Sequence, residues 1–227
     1  MIITGSSKGI GRHMVDHYLN KGYMVVGCSR SDSGMDIPFY KHLKVDVTDQ
    51  NEINSLFKYV KTHYNRLDVL INNAGIASMN HALLTPLSTV KKIFEINVFG
   101  SFVFTQEAAK IMMKRKYGRI INLSTIAVPF KLEGEAAYAA SKAALNTFTE
   151  VLAREFAPYG ITVNAVGPTP VKTDLTKNVP GPKMKKLLNR QVVKRYSTYE
   201  EVVHVIDMFV NKNSDMVTGQ IVYLGGA

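Results

Sequence analysis

The sequence predicts an open α/β fold, in which a parallel β-sheet is covered by helices on both faces. Short runs rich in β-branched residues alternate with longer amphipathic segments along all 227 residues. Strands that alternate with helices form parallel βαβ units. No internal repeat or linker-like stretch interrupts the pattern. We therefore expect one domain over residues 1–227.

The predicted strands are short and β-branched, as buried parallel strands usually are. They cover residues 1–4, 23–27, 42–47, 67–72, 119–123, 161–166 and 220–224. Helical spacing of apolar residues predicts helices over 10–20, 51–64, 88–114, 135–156 and 200–210. Because the first strand is so short, we expect it to be weakly held.

Composition narrows the classes of partner. The formal net charge is +10, but the lysines and arginines are scattered and no RNA-recognition, zinc-finger or homeodomain pattern accompanies them. We therefore expect no nucleic-acid partner. The longest apolar stretches are of strand length, so we expect no membrane span. The lone Cys28 cannot form an internal disulfide, which favours a reducing, cytoplasmic setting.

No metal site is expected. His13 and His17 have the i, i+4 spacing of zinc-binding pairs, but the glutamate that follows the first histidine of a metalloprotease motif is missing. Exposed helix positions explain these two residues more simply.

A glycine turn follows the first strand, where parallel sheets bind ligands. Glycine at positions 5, 9 and 11 permits a tight turn, close approach of the backbone to a pyrophosphate and close packing of the next helix. The free N–H groups of that helix would bind the phosphates. No Gly-Lys-Ser/Thr follows, so this is not a Walker loop. The turn predicts a dinucleotide site.

The end of the second strand predicts which dinucleotide binds. An acidic residue there would bind the ribose hydroxyls and repel a 2′-phosphate. This sequence has Ser29 and Arg30 instead, and the planar guanidinium of Arg30 suits a phosphate. Lys8 in the glycine turn is a second cation. We therefore predict NADP(H).

Tyr138 and Lys142 are candidate catalytic residues in the fourth predicted helix. Their i, i+4 spacing puts them on one face, with Cβ atoms about 5–6 Å apart. A phenol with a pKa of about 10 is a poor acid near neutrality. A neighbouring ammonium lowers that pKa, so the spacing favours Tyr138 as a general acid.

The ordered motifs resemble the short-chain dehydrogenase/reductase family, and most closely its 3-oxoacyl-(acyl carrier protein) reductase-like branch. These motifs are Thr4-Gly5-x-x-x-Gly9-x-Gly11, Asp46-Val47, Asn72-Asn73-Ala74-Gly75, Asn97, Tyr138-x-x-x-Lys142, Asn164 to Pro168, and Val217 to Gln220. The resemblance implies a single-domain Rossmann fold with a seven-stranded parallel sheet in the order 3-2-1-4-5-6-7. It also implies a homodimer or homotetramer.

The resemblance implies roles for individual residues. Tyr138 would protonate the carbonyl oxygen, Lys142 would hold the nicotinamide ribose, and Asn97 would anchor a water in a proton relay. Thr125 stands where the family usually has the serine that binds the substrate carbonyl. Ser124 is the alternative; strand alternation would point the two hydroxyls to opposite faces, so they cannot serve equally, and we favour Thr125. The implied cofactor contacts are Gly5, Ser7, Lys8, Gly9, Ile10, Gly11, Ser29, Arg30, Asp46, Val47, Asn73, Ala74, Gly75, Tyr138, Lys142, Pro168, Val171 and Thr173.

Residues 172–195 are the expected substrate lid. Thr169-Pro170 replaces the glycine usual before this segment and stiffens the loop. Pro180-Gly181-Pro182 predicts that the lid is bent and mobile. Its cations, Lys183, Lys185, Lys186 and Arg190, would suit an anionic or carrier-bound substrate. Ordinary solvated surface charge is the alternative.

The resemblance implies an NADP(H)-dependent oxidoreductase (EC 1.1.1.-) that reduces a carbonyl on a small molecule, such as a 3-oxoacyl thioester, to a secondary alcohol. One alternative is a dehydrogenase for a sugar, nucleotide-sugar or other secondary alcohol. An alternative of another class is a non-catalytic NADP(H)-sensing protein. The presence of Asn97, Tyr138 and Lys142 argues against a sensor, which needs no proton relay.

Overall fold

Seven parallel strands form the centre of the molecule in a computed structural model that describes residues 1–177 and 179–226. The strands are β1 Ile2–Thr4, β2 Val25–Ser29, β3 Tyr40–Lys44, β4 Val69–Asn72, β5 Gly118–Leu123, β6 Ile161–Gly167 and β7 Ile221–Tyr223. Their order is β3-β2-β1-β4-β5-β6-β7, and every neighbouring pair is parallel. The predicted doubly wound Rossmann sheet is confirmed.

Helices cover both faces of this sheet. They are α1 Gly9–Asn20, α2 Gln50–Tyr64, α3 Leu87–Phe94, α4 Ser101–Met112, α5 Ala127–Phe130, α6 Ala136–Phe156, α7 Asp174–Lys177, α8 Gly181–Arg190 and α9 Tyr199–Val210. One core lies beneath α2, α4 and α6, and includes Ile53, Phe104 and Leu152. The other lies beneath α1 and α9, and includes Met14 and Val203. No helix of the described residues is long and apolar enough to cross a membrane.

The single helix predicted over residues 88–114 is divided in the structure. Between α3 and α4, residues Glu95–Gly100 form a π-helix, which includes Asn97. Such wide turns are rare and frequently occur at functional sites. Apolar periodicity does not report them, because one extra residue in a turn barely changes the buried face.

The lid segment, predicted to bend at Pro180-Gly181-Pro182, contains a helix, because residues 181–190 form α8. Gly181 and Pro182 are its first two residues. Proline has no N–H to donate, but the first turn of a helix leaves its N–H groups unpaired in any case. A proline pair that suggests a break can therefore begin a helix.

The expectation that β1 is weakly held is wrong. β1 lies between β2 and β4, and Ile2 and Ile3 are fully buried. The amino group of Met1 donates a hydrogen bond to the Met24 carbonyl at 2.7 Å. Pairing on both sides and complete burial compensate for the short length.

Gly11 generates a prediction about stability, because it lies where α1 crosses the end of β1. A Cβ at this position would collide with the backbone oxygen of Gly5 and lie 2.6 Å from Nδ2 of Asn73. We expect Gly11→Ala to lower the free energy of unfolding by about 1–3 kcal/mol, the usual cost of overpacking. Urea unfolding measures this. Gly181→Ala is the control, since nothing lies within 4 Å of its Cβ position. Equal midpoints for the two variants would contradict the prediction.

Candidate active site

Two connected clefts lie at the carboxyl edge of the sheet, where the strand order reverses between β1 and β4. The larger, of about 1200 Å³, lies between the glycine turn and the segment after β6. The smaller, of about 450 Å³, lies between the end of β5 and α6. Ile10, Gly75 and Thr173 line both clefts, which are therefore continuous. This is the crevice in which doubly wound folds bind their ligands.

The glycine turn is fixed to the loop after β4. Thr4 Oγ1 accepts the backbone N–H of Asn73 at 3.0 Å and of Ala74 at 2.9 Å. The Asn73 amide donates to the backbone oxygens of Thr4 at 2.8 Å and Gly5 at 3.1 Å. Gly5 and Gly9 have φ angles of +66° and +58°, which side chains tolerate poorly. The start of the turn is therefore fixed to the loop after β4.

The shape of the larger cleft fits a dinucleotide. Gly9, Ile10 and Gly11 at the start of α1 line it, and no side chain caps this helix. Uncapped N–H groups and the helix dipole favour phosphate there. At the passage between the clefts, a Cβ on Gly75 would lie 3.2 Å from Asn97 Oδ1 and 3.5 Å from Lys142 Nζ. A larger residue at position 75 would narrow this passage.

The far end of the larger cleft contains the two predicted phosphate-binding cations. Arg30 is exposed at the end of β2 and lines the cleft, and within residues 1–177 and 179–226 its guanidinium has no hydrogen-bond partner. Lys8 instead pairs with Asp174 across the cleft at 2.7 Å, with both side chains largely exposed. The structure therefore leaves Arg30, rather than Lys8, available to a ligand.

The remaining predicted contacts in this half of the site also line the larger cleft. They are Gly5, Ser7, Ser29, Asp46, Val47, Asn73 and Ala74. The Asp46 carboxylate accepts two hydrogen bonds from Thr48, at 3.0 Å from the backbone and 2.8 Å from the hydroxyl. These bonds fix the loop after β3 at the edge of the cleft.

Thr125 and Tyr138 meet in the smaller cleft. The Thr125 hydroxyl lies close enough to the Tyr138 phenol to lower its pKa. Ser124 is buried and lies instead beside Tyr223; burial raises the pKa of Tyr223, and the Ser124 hydroxyl partly opposes that rise. Both residues follow Leu123, the last residue of β5, and Thr125 is the one whose hydroxyl lies near Tyr138.

Burial sets the charge state of Tyr138 and Lys142. It raises the pKa of Tyr138 to about 12, Glu135 raises this pKa further, and Thr125 opposes the shift. Burial lowers the pKa of Lys142 to about 8. The i, i+4 spacing predicted that Lys142 would lower the pKa of Tyr138. In the structure the net change is a rise in this pKa, and burial is its main cause. Lys142 Nζ donates to the Leu123 carbonyl at 2.6 Å.

Asn97 is fully buried in the π-helix and links the loop after β4 to α6. Its Oδ1 accepts the N–H of Ile76 at 2.9 Å, and its Nδ2 donates to the Ile76 carbonyl at 2.9 Å and to Ser141 Oγ at 3.1 Å. Ser141 in turn donates to the Tyr138 carbonyl at 2.7 Å. The side-chain amide of Asn97 is thus occupied by protein groups, and it positions the helix that carries Tyr138.

The segment after β6 borders both clefts. Pro168, Val171 and Thr173 line the smaller one, as predicted contacts of the nicotinamide end. The Thr173 methyl lies 3.7 Å from the position of a Cβ on Gly9. The beginning of the lid therefore faces the glycine turn across the crevice.

The unusual Thr169 has a structural explanation. It is buried and its hydroxyl donates to Ser197 Oγ at 2.9 Å. The Ser197 N–H donates to the Pro170 carbonyl at 3.1 Å. The residue that replaces the usual glycine therefore attaches the loop after β6 to the start of α9.

The predicted lid cations do not face the clefts. Lys183, Lys185 and Lys186 are exposed and line neither cleft. α8 instead presents Met184 and Leu187 to the smaller cleft. Arg190 donates to the Phe130 carbonyl at 2.6 Å and stacks on that ring at 4.7 Å. The positive charge of α8 is therefore on the rim of the site.

Some residues that line the clefts were not predicted from the sequence. Tyr196, Tyr199 and Lys172 line the larger cleft, and Tyr199 donates to the Lys172 carbonyl at 2.9 Å. No sequence pattern indicates them, because the fold alone brings them to the glycine turn. Glu135 lines the smaller cleft one turn before Tyr138. That spacing from the catalytic candidate was a signal that could have identified it.

Comparison with known proteins identifies the family. The model of the family described as short chain dehydrogenase matches residues 1–183. The chain belongs to this family. Its members are oxidoreductases that bind a nicotinamide cofactor.

Relatives within the family have different substrates and cofactors. The chain is 30% identical to a 3-oxoacyl-[acyl-carrier-protein] reductase of Buchnera aphidicola, covering 99% of this chain and 95% of that protein. It is 32% identical to an NAD-dependent glycerol dehydrogenase of Listeria innocua, covering 99% and 91%. The solved structure of ElxO with NADP bound superposes with a TM-score of 0.89 at 28% identity, covering 98% and 95%.

The placement of the two hydroxyls generates a prediction for this short-chain dehydrogenase. We expect Thr125→Val to lower kcat about 100- to 1000-fold, the usual effect of removing one hydrogen-bond donor from a developing oxyanion. Ser124→Ala should change kcat by less than about threefold, since its hydroxyl lies beside Tyr223. Steady-state kinetics measures kcat for both variants, and Thr125→Ser, which keeps the hydroxyl, is the conservative variant. A larger loss in Ser124→Ala than in Thr125→Val would reverse the assignment.

Proposed function

We propose that this short-chain dehydrogenase is an NADP(H)-dependent reductase that converts a carbonyl into a secondary alcohol on a small molecule. The observation that carries the proposal is the Tyr138 phenol beside the Thr125 hydroxyl, in a cleft continuous with one shaped for a dinucleotide. A cofactor-sensing protein has no use for this pair. The acyl carrier protein reductase among the relatives supports a 3-oxoacyl thioester as the first substrate to test.

A reduced nicotinamide cofactor bound in the larger cleft would supply the hydride that the carbonyl carbon accepts. Tyr138 donates its hydroxyl proton to the carbonyl oxygen. Because burial raises the pKa of Tyr138 to about 12, the phenol is protonated at neutral pH and ready to donate. Thr125 donates a hydrogen bond to the same oxygen and orients it. Asn97 and Ser141 hold the turn of α6 that carries Tyr138.

Lys142 has a second role in the proposed site. Its ammonium is desolvated, and its hydrogen bond to Leu123 places the charge near the passage between the clefts. There it would bind the nicotinamide ribose and favour negative charge developing on Tyr138. The lowered pKa of about 8 still leaves most of this amine charged at neutral pH.

The proposal is tested by NADPH oxidation at 340 nm with an acetoacetyl thioester, diketones and keto sugars. We expect turnover in the wild type and a loss of about 100- to 10,000-fold in Tyr138→Phe, the usual contribution of a general acid. NADPH binding, followed by its fluorescence, should persist in the variant. Tight NADPH binding without turnover of any ketone would favour the sensing protein instead.

Arg30 supports the choice of NADP(H) over NAD(H). The relatives leave the choice open, since one is described as NAD-dependent and another has NADP bound. No carboxylate occupies the end of β2, and the unpaired Arg30 guanidinium lines the larger cleft among the described residues. A 2′-phosphate would find a bidentate partner there.

We expect Arg30→Ala to raise the Kd for NADPH about 10- to 100-fold, the value of a charge-assisted hydrogen-bonded pair. The Kd for NADH, which lacks the phosphate, should change less than about twofold. Arg66→Ala is the matched control, because Arg66 is exposed before the amino end of β4 and pairs with Asp68. Equal losses for both cofactors would show that Arg30 does not bind the phosphate.

We also propose a homodimer or homotetramer in the cytoplasm. An apolar patch on the outside of the π-helix, α4 and α6 supports self-association. Phe99, Phe102 and Val151 expose 58%, 37% and 46% of their surface, and the Phe102 and Phe148 rings lie 5.3 Å apart. A contiguous patch of this kind is typical of an interface. The buried free thiol of Cys28 suits a reducing compartment.

A further inference from the structure

The smaller cleft contains a carboxyl group that the reaction described above does not use. Glu135 precedes α6 and lines the cleft together with Thr125 and Tyr138. Glu135 and Tyr138 are three residues apart, so their side chains project from the same side of the helix start. The charge of Glu135 raises the pKa of Tyr138, which independently indicates that the two groups are close.

Nothing in the described chain pairs with this carboxyl. Glu135 is half-buried, and its side chain makes no hydrogen bond or ion pair within residues 1–177 and 179–226. Desolvation raises the pKa of Glu135 for that reason. Leaving a partly desolvated carboxyl without a donor costs free energy, so such a group is usually paired or has a function.

The position of Glu135 is well defined. The Gly134 carbonyl accepts the N–H of Asn80 at 2.9 Å, which joins the residue before Glu135 to the loop after β4. The Glu135 carbonyl accepts the N–H of Ala139 at 2.7 Å as the first turn of α6 begins. The backbone at Glu135 is therefore fixed on both sides.

The other charges near the cleft are already engaged. Lys142 donates to the Leu123 carbonyl, and Asp174 pairs with Lys8 at the mouth of the crevice. The exposed lysines of α8 line neither cleft. No protein donor among the described residues reaches Glu135, so a molecule that displaces water from the cleft can supply one.

We propose that Glu135 is a specificity-determining residue that accepts a hydrogen bond from a substrate hydroxyl on the carbon next to the reacting carbonyl. The substrate class is then an α-hydroxyketone, and the product is a vicinal diol. This inference rests on the proposed function and selects among its substrates. The carbonyl oxygen is held by Tyr138 and Thr125, and the adjacent hydroxyl reaches one turn along α6 to Glu135.

The same geometry disfavours other substituents at that carbon. A carboxylate or phosphate there would be repelled by Glu135, and a methyl group would leave the carboxyl desolvated without a partner. Sites built to hydrogen-bond a substrate hydroxyl discriminate strongly against analogues that lack it. The exposed lid lysines can still attract an anionic group at the far end of a longer substrate.

The test compares two ketones of nearly equal size, hydroxyacetone and 2-butanone, which differ by a hydroxyl in place of a methyl group. We expect wild-type kcat/KM to favour hydroxyacetone by about 10- to 100-fold, the value of a hydrogen bond to a charged group. In Glu135→Ala this preference should disappear. Glu135→Gln, which keeps an acceptor oxygen, should retain part of the preference.

Glu133→Ala is the matched control. Glu133 is an exposed acid two residues away that lines neither cleft. This variant should keep the wild-type preference. Circular dichroism and thermal unfolding of all variants exclude loss of fold as the explanation.

A binding measurement keeps the inference independent of turnover. 1,2-Propanediol and 2-butanol are titrated into the enzyme–NADPH complex and followed by NADPH fluorescence. We expect the diol to bind at least about tenfold more tightly than the alcohol in the wild type and equally in Glu135→Ala.

The outcomes separate this inference from the proposed function. Equal turnover of both ketones, unaffected by Glu135→Ala, overturns the inference and leaves the reductase intact. Diol binding that depends on Glu135 but no turnover of any ketone supports the hydroxyl site and overturns the reductase. Stronger turnover of aminoacetone than of hydroxyacetone, lost in both Glu135 variants, overturns the inference in favour of a cationic substrate.

Discussion

The junction between β1 and β4 is the interaction on which the rest of the site depends. The sheet order reverses there, and the Thr4 hydroxyl and Asn73 amide join the two strand ends with four hydrogen bonds. Without them the glycine turn would lose its fixed position over the crevice. Gly11 adds a steric constraint, because α1 can approach this junction closely only where no side chain intervenes.

A second set of buried amides extends that junction to the catalytic helix. Asn72 donates to Asn122 at 2.9 Å, and Asn122 donates to Thr149 on α6 at 2.9 Å. Asn97 makes a parallel link from the loop after β4 to Ser141. Amides buried in a core have few satisfactory arrangements, so they specify the register of α6 against β4 and β5. That register places Tyr138 and Lys142 at the end of β5.

Much of the fold followed from local pattern. Alternation of strands and helices, with glycines directly after the first strand, predicts a parallel sheet and a phosphate site, because both depend on residues close in sequence. The sequence was misleading where contacts between residues distant in sequence determine the structure. β1 is short by local measure but is buried between two strands, and the prolines near residue 181 begin a helix that packs over the smaller cleft through Met184.

The site shows the same difference between features set by local sequence and features set by distant contacts. The motif residues were found because they are close in sequence or have the spacing of a helix turn. The ion pair of Lys8 with Asp174 was not foreseen because the two residues are 166 positions apart, and Tyr199 carries no pattern of its own. The Thr125 hydroxyl, and not that of Ser124, lies near Tyr138, and strand alternation does not explain the choice because β5 ends at Leu123, before both residues.

The lysines of the lid and the carboxyl of Glu135 lie in different parts of the site. The chain carries a formal charge of +10, and the lysines of α8 contribute to it on the outside of the lid. Inside the smaller cleft, Glu135 has no protein cation beside it among the described residues. Net charge governs the approach of an anionic cofactor or substrate over long range. The proposed choice of substrate beside the reacting carbonyl depends on a short-range hydrogen bond to one partly desolvated carboxyl. Overall composition cannot predict such a contact.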